Sequence, residues 1–285
     1  MHADTSAVPR APSSRAAWRP PLLVKASVAW HVGAGVAVAA LPAEWAWGAA
    51  AVGLNHLLLS GVGLWPQSSW LGPNLSRLPP AAASRSEIAV TLDDGPDPAV
   101  TPAALDLLDA HGARATFFCI AERARAHPAL CREIVRRGHS VQNHSLDHSH
   151  RFSLLGGRAF EREIGAAQRI LADITGQLPR YFRAPAGVRN PLLGPVLQRL
   201  DLALVSWSRR GYDTVQREPA RVLRRLTRSL AAGDILLLHD GNAARDAEGR
   251  PVALAVLPAL LESIARQRLR TVTLPEAMHA EAAAS

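Results

Sequence analysis

The sequence predicts an α/β domain built on a parallel sheet and preceded by two apolar helices. Three observations predict it. From Glu87 onward, short apolar runs alternate with helical patterns. Glycines punctuate that alternation where helices should stop. Before it lie two apolar stretches, each about as long as a bilayer core requires. The alternation fits either a barrel or a doubly wound sheet.

The first element is Met1–Pro21, a polar and basic segment with Arg10, Arg15 and Arg19. Next come Leu22–Leu41 (LLVKASVAWHVGAGVAVAAL) and Trp45–Trp65 (WAWGAAAVGLNHLLLSGVGLW), with Pro42, Ala43 and Glu44 as the turn between them. Trp45, Trp47 and Trp65 fall near the ends of the second stretch, where indoles settle at a membrane interface; Trp30 lies mid-stretch. Two other readings stay open. One is a hairpin of buried or interfacial helices. The other is a cleaved signal peptide with Ser27–Ala40 as its apolar core, which leaves the second stretch to be explained.

The expectation is two spanning helices. Arg10, Arg15, Arg19 and Lys25 lie before or early in the first, and the turn carries no Lys or Arg. The positive-inside tendency then puts the N-terminus in the cytoplasm, and two crossings return the large domain to the same side. This describes a multi-pass protein of a bacterial inner membrane. If only one stretch spans, the domain lies outside.

Residues 66–86, rich in Pro, Ser and Ala, read as a linker; 87–276 form the large domain and 277–285 a tail. Within the domain the expected strands are Ile88–Leu92, Ala115–Ile120, Leu202–Trp207, Ile235–Leu238 and Val272–Leu274. The expected helices are Thr101–His111, a segment near Pro128–Arg137, Glu161–Thr175, Arg221–Ala232 and Pro251–Arg268. Gly112, Gly138, Gly176 and Gly233 are the stops for the first four.

Composition narrows the function. At 285 residues and 48% hydrophobic, the chain is too apolar for disorder and long enough for a substantial core. Cys119 and Cys131 are the whole cysteine supply, which excludes a disulfide scaffold. The net charge of +8 invites a nucleic-acid partner. Against it, Lys25 is the sole lysine, the arginines are dispersed, and aromatics make up only 5%. An anionic membrane suits the charge at least as well, and no nucleic-acid partner is expected.

Parallel α/β folds place their sites where strands end, and four such places carry unusual polar residues. Asp93 and Asp94 close an apolar strand, and Gly95-Pro96 break the chain after them; this reads as a turn, or as one cation ligand beside one proton acceptor. His144 and His148, four apart, would meet on one face of a helical turn and suit a metal such as zinc, with Asp93-Asp94 offering a third ligand and a base. His139 and His150 read as structural or solvated. Arg183 follows Tyr181-Phe182 and opens Arg183-Ala184-Pro185-Ala186-Gly187, where an arginine can orient a carboxylate and small residues let backbone N–H groups approach a substrate oxygen. His239, at the end of an all-apolar strand, is a candidate general acid or a satisfied core histidine.

In this order and spacing, the four places resemble the polysaccharide deacetylases, the carbohydrate esterases that share the NodB homology domain. Family motif T-F-D-D-G-P appears as TLDDGP with Leu92 in place of the aromatic, and H-[ST]-x-x-H as His144-Ser145-Leu146-Asp147-His148. R-x-P is matched by Arg183-Ala184-Pro185, and L-x-H by Leu237-Leu238-His239. The resemblance covers roughly Glu87 to Glu276. It implies a distorted (β/α) barrel holding a divalent metal, usually zinc, with Asp94, His144 and His148 as ligands. It further implies Asp93 as general base, Arg183 as its support and His239 as general acid. Two departures stand out. Ala186-Gly187 replace the aromatic usual after the motif proline, and Trp207 precedes Asp213, reversing the usual Asp-before-Trp order. Asp213 is thus only a weak candidate partner for His239, and Trp207 is a sugar-facing wall or core.

The implied activity is metal-dependent removal of an N-acyl group, chiefly acetyl, from an amino sugar. With the domain on the cytoplasmic face, a lipid-linked sugar is the accessible substrate, and Arg209 and Arg210 are candidates for its phosphate. An external domain favours peptidoglycan or exopolysaccharide. Two rival readings are a non-haem iron oxygenase, which also uses two histidines and a carboxylate, and a silent sugar-binding membrane protein.

Overall fold

The computed structural model describes residues 18–282, so Arg10 and Arg15 of the expected basic segment fall outside the described residues. Helices α1 (Leu22–Ala40) and α2 (Trp45–Gly63) form an antiparallel hairpin around a 3₁₀ turn at Pro42–Glu44. Trp30 explains its mid-stretch position by donating its indole N–H to the Ala51 carbonyl (2.9 Å), which ties the two helices together. Among the described residues only Leu22–Ala40 is long and apolar enough to cross a membrane, a pattern that signal sequences and anchors share. The expected pair of spans is therefore reduced to one candidate. α2 matches it in length, but Asn55 and His56 interrupt its apolar run.

Both ends of the hairpin return to the domain. The Gly63 carbonyl accepts the Arg189 N–H (3.1 Å), and a side chain at Gly63 would overlap the Arg189 carbonyl. Residues 66–86 are folded onto the domain. Asn74 donates to the carbonyls of Pro66 (2.7 Å) and Ser68 (3.0 Å), Leu71 and Leu78 are buried, and helix α3 (Pro80–Ser84) leads into the sheet.

The domain then runs β1 (Glu87–Asp93), α4 (Thr101–Ala110), β2 (Ala115–Cys119), α5 (Ala121–Ala126), α6 (Pro128–Arg136) and β3 (Ser140–Asn143). It continues through α7 (Gly157–Thr175), β4 (Tyr181–Phe182), α8 (Leu193–Arg199), β5 (Ala203–Leu204), β6 (Arg209–Arg210) and α9 (Pro219–Thr227). It ends with β7 (Ile235–His239), α10 (Val252–Arg266), β8 (Arg270–Thr271) and α11 (Leu274–Ala282). The strand order is β5-β4-β3-β2-β1-β7-β6, every pairing is parallel, and β8 joins the start of β1. The edges β5 and β6 do not pair with each other. The sheet is thus a curled half-barrel, which bears out the curl of the expected barrel without its closure.

β1 and β7 are buried along their whole lengths, which is why they read as continuous apolar runs. On one side of the sheet, Leu92, Leu236 and Leu238 pack with Leu105, Leu108, Leu257 and Leu260 of the surrounding helices. On the other, Ala89 and Leu237 meet Trp207, Val272 and Leu274. Two expected strands shift. Leu202–Trp207 is a regular strand only over β5 and continues as a single bridge from Val205 to Leu75, while the carbonyls of Val205 and Ser206 accept hydrogen bonds from Arg183. The closing strand lies at β8 rather than Val272–Leu274, since Leu274 already begins α11. Helix α9 stops at Thr227, short of the expected Ala232.

Candidate active site

The C-terminal ends of β1, β3, β4 and β7 open into one cleft of about 630 Å³, lined by Asp93, Asp94, His144, His148, Ala186, Trp207, Arg210 and His239 among others. Asp93 ends β1 in register with His239, which ends the neighbouring β7. Asp94 follows in a left-handed conformation (φ 71°), which turns the two adjacent carboxylates toward different partners.

Asp93 faces Arg183. This guanidinium is 1% exposed and donates to Asp93 Oδ1 (2.6 Å), to Thr91 Oγ1 (2.8 Å) and to the Ser206 carbonyl (2.9 Å). It lies 4.1 Å from the centre of the Phe118 ring. The arginine expected to support the base is therefore a fixed, fully buried counter-charge. Burial pushes its own pKa down, against the pull of Asp93.

Asp94 faces the two histidines. His144 Nε2 lies 3.2 Å and His148 Nε2 3.3 Å from the same oxygen, Asp94 Oδ1. The rings are 4.9 Å apart, so the expected pair meets, although no helical turn brings it together. Positive φ at Ser145 (70°) and His148 (57°) bends the segment instead. Side chains replace the helix hydrogen bonds: Asn143 Oδ1 accepts Ser145 N–H, Ser145 Oγ accepts His148 N–H, and Glu163 accepts Leu146 N–H.

The donor set fits a divalent cation. His144 Nδ1 lies 2.8 Å from the Arg183 carbonyl, which can only accept, so the hydrogen sits on Nδ1 and Nε2 presents a lone pair. That lone pair faces Asp94 Oδ1, a buried carboxylate oxygen with no hydrogen-bond partner. Ligand atoms of Asp94, His144 and His148 all lie within 4.8 Å of one another. Acceptors gathered this closely could hold a divalent cation, and two imidazoles with one carboxylate are a donor set that zinc accepts.

His239 Nδ1 lies 2.9 Å from Asp213 Oδ1, and Asp213 Oδ2 accepts the His239 backbone N–H (2.8 Å). Burial pushes the imidazole pKa down, yet Asp213 outweighs it and leaves the pKa raised. Asp213, weak from sequence, is the partner of His239 after all. Motif order had obscured it because spatial adjacency, not order relative to Trp207, makes the pair. Trp207 is 6% exposed and lines the cleft, with Arg210 over its ring at 5.2 Å. Where the family aromatic is absent, Gly187 (φ 74°) lets the chain pass Trp207; a Cβ there would lie 2.6 Å from the indole.

Two contributors escaped sequence reasoning. Asn242 Nδ2 donates to Asp94 Oδ2 (3.0 Å), and Arg123 donates both to the Asp94 carbonyl (2.8 Å) and to Asn242 Oδ1 (2.9 Å). Asn242 stands three residues after His239, a polar strand-end position that could have been flagged; Arg123 gave no local signal. His139 is buried and serves structure, accepting the Ala115 N–H, while His150 lines the cleft. Arg209 is committed to Asp234 and to the carbonyls of Arg228 and Ser229, so it is not free for a phosphate.

Comparison with known proteins agrees with this architecture. The polysaccharide deacetylase family profile matches residues 81–205. A chitooligosaccharide deacetylase of Azorhizobium caulinodans is 36% identical over 159 residues, covering 55% of this chain and 75% of the relative. A peptidoglycan-N-acetylglucosamine deacetylase of Bacillus cereus is 31% identical over 191 residues, covering 66% and 86%. Among solved structures, a family 4 carbohydrate esterase from Streptomyces lividans in complex with acetate aligns with a TM-score of 0.59 at 30% identity, covering 65% of this chain and 91% of that one. The chain belongs to the polysaccharide deacetylase family. It is a hydrolase of carbon–nitrogen bonds other than peptide bonds.

Proposed function

We propose that the protein is a metal-dependent N-deacetylase of an amino sugar, in a glycan or linked to a lipid. The observation that carries the reading is the flanking of Asp94, His144 and His148 by Asp93 and His239, register partners on adjacent strands. A divalent cation, zinc by its ligand set, would be held by Asp94, His144 and His148 and would polarise the acyl carbonyl and make water easier to ionise. Asp93 takes the proton of the attacking water, and Arg183 keeps that carboxylate aimed and charged between turnovers. The backbone N–H of Ala186 donates to the developing oxyanion. His239, its Nδ1 hydrogen held by Asp213, donates from Nε2 to the departing nitrogen. The amide and water leave as a carboxylate and a free amine. Trp207 offers a flat wall to the sugar ring.

The hairpin supports a membrane location. Val28, Val32, Val36, Leu54 and Leu57 are exposed along it, an apolar surface that water does not tolerate but a bilayer does. Trp45 and Trp47 at the far end and Trp65 at the domain end are exposed where interfacial indoles belong. We propose that Leu22–Ala40, the one described helix long and apolar enough to span, anchors the protein to a membrane.

The test is Asp93→Asn. Acetate release from N-acetylated chitooligosaccharide should fall about 10²–10⁴-fold while bound zinc, measured by atomic emission, stays stoichiometric, and chelation should silence the wild type. Normal turnover by the variant overturns the base assignment. Iron-dependent oxygen consumption without amide hydrolysis would favour the oxygenase instead.

A further inference from the structure

The catalytic cleft does not end at the metal ligands. His148, His150 and Ala186 line both the cleft and a small adjoining pocket. Ser153 and Val188 line that pocket and also a larger groove of about 760 Å³ between the hairpin and the domain. One wall of the groove is Val28 and Val32 of α1; the other is Leu154 and Leu192 of the domain. Leu154 is 81% exposed and Leu192 49%, so the domain shows large apolar side chains to solvent where it faces the hairpin.

The groove also carries cationic and polar groups. Arg189 is 6% exposed; among the described residues its guanidinium donates to the Ser68 carbonyl and leaves Nε without a partner. No ion pair among the described residues includes it, and burial pushes its pKa down to about 10. A buried arginine without an anion is costly, and it marks a place where a ligand brings one. His31 and His56 face the same groove from the hairpin, Nε2 to Nε2 at 3.3 Å. Ionisable side chains on membrane-type helices characteristically line substrate paths.

We infer that this groove binds the phosphate and isoprenoid tail of a lipid-linked amino sugar and delivers its N-acyl group to the cleft. The inference rests on the deacetylase reading and specifies its substrate. Arg189 meets the phosphate bridge, and the two imidazoles line the same groove. The tail lies between the apolar walls and continues into the bilayer that holds the hairpin. A soluble oligosaccharide reaches the same metal site without touching the groove.

The test uses the full chain, zinc-loaded, in phosphatidylcholine nanodiscs. Two substrates are compared: polyprenyl-diphosphate-linked N-acetylglucosamine and water-soluble tetra-N-acetylchitotetraose. The variants are the exposed pair Leu154→Asp/Leu192→Asp and, separately, Arg189→Gln. Each should raise KM for the lipid-linked substrate at least about tenfold, the equivalent of about 1.4 kcal/mol of binding. Turnover of chitotetraose, zinc content and Tm should stay at wild-type levels. If Arg189→Gln fails to fold, the surface pair decides alone.

The inference is overturned if the lipid-linked KM is unchanged, if both substrates suffer equally, or if the wild type cleaves chitotetraose but not the lipid-linked sugar. It is also overturned if native mass spectrometry finds a bilayer phospholipid in the groove that the lipid-linked substrate does not displace. Cleavage of neither substrate would instead sink the deacetylase reading itself.

Discussion

Arg183 and Asp93 form an ion pair almost sealed from solvent, at 1% and 3% exposure, and its removal separates stability from chemistry. In Arg183→Met the methionine retains much of the packing on Phe118 but none of the donors to Asp93, Thr91 and Ser206. Asp93 is left as an uncompensated buried carboxylate, a situation that costs about 3–5 kcal/mol. Asp93→Asn strands the guanidinium in turn, although the arginine keeps its bonds to Thr91 and Ser206. The double variant Asp93→Asn/Arg183→Met no longer holds a stranded anion. It should therefore be more stable than the sum of the single losses by about 1–3 kcal/mol. Turnover should behave the same way: once the base is gone, losing its support has little left to reduce. Denaturant melts in detergent, followed by tryptophan fluorescence, give the stabilities, and acetate release gives the rates. Additive destabilisations, with a coupling under about 0.5 kcal/mol, would refute the view that Arg183 acts by fixing and neutralising Asp93.

Two further predictions concern protons. In Asp213→Asn the imidazole of His239 loses the charge that holds its pKa up, so the alkaline limb of the kcat/KM profile should move to lower pH. An unmoved limb would remove His239 from the role of acid. His139 is buried and accepts the Ala115 N–H at Nδ1, and its pKa is lowered from 6.5 to about 4, chiefly by burial. Between those values the unfolded chain binds more protons than the folded one, so its contribution is intact above pH 6.5 and drains away as pH falls toward 4. The shift corresponds to about 3 kcal/mol, and equal pH dependence of stability in the wild type and His139→Asn would contradict it.

How much was legible depended on how local the cause was. β1, β2 and β7 could be read directly, because strands buried on both faces must be continuous apolar runs. β4, β6 and β8 have two residues each, too few for any periodicity, and β5 keeps only two residues of the strand expected at Leu202–Trp207. Asp93, Asp94, His144, His148, Arg183 and His239 were found from sequence because each stands in a short motif, and the structure gathers all of them in or around one cleft. Asp213 sat in a scrambled motif, and Arg123 in none, so neither could be assigned before its partner was seen. The hairpin misled in a different way. Length and apolarity suggested two equal spans, but Ser27, His31, Asn55 and His56 gather in a polar cluster between the helices that a linear reading cannot pair.

The sequence by itself determined the class of fold and offered the residues proposed as cation ligands and proton carriers, since residue type and spacing along one strand end or turn are local properties. Only the tertiary structure decided which aspartate meets the arginine and which the histidines, that Asp213 pairs with His239, and that a largely apolar groove lies between the hairpin and the domain. Those outcomes depend on side chains far apart in the chain being packed together, and an unfolded string of residues carries no distances.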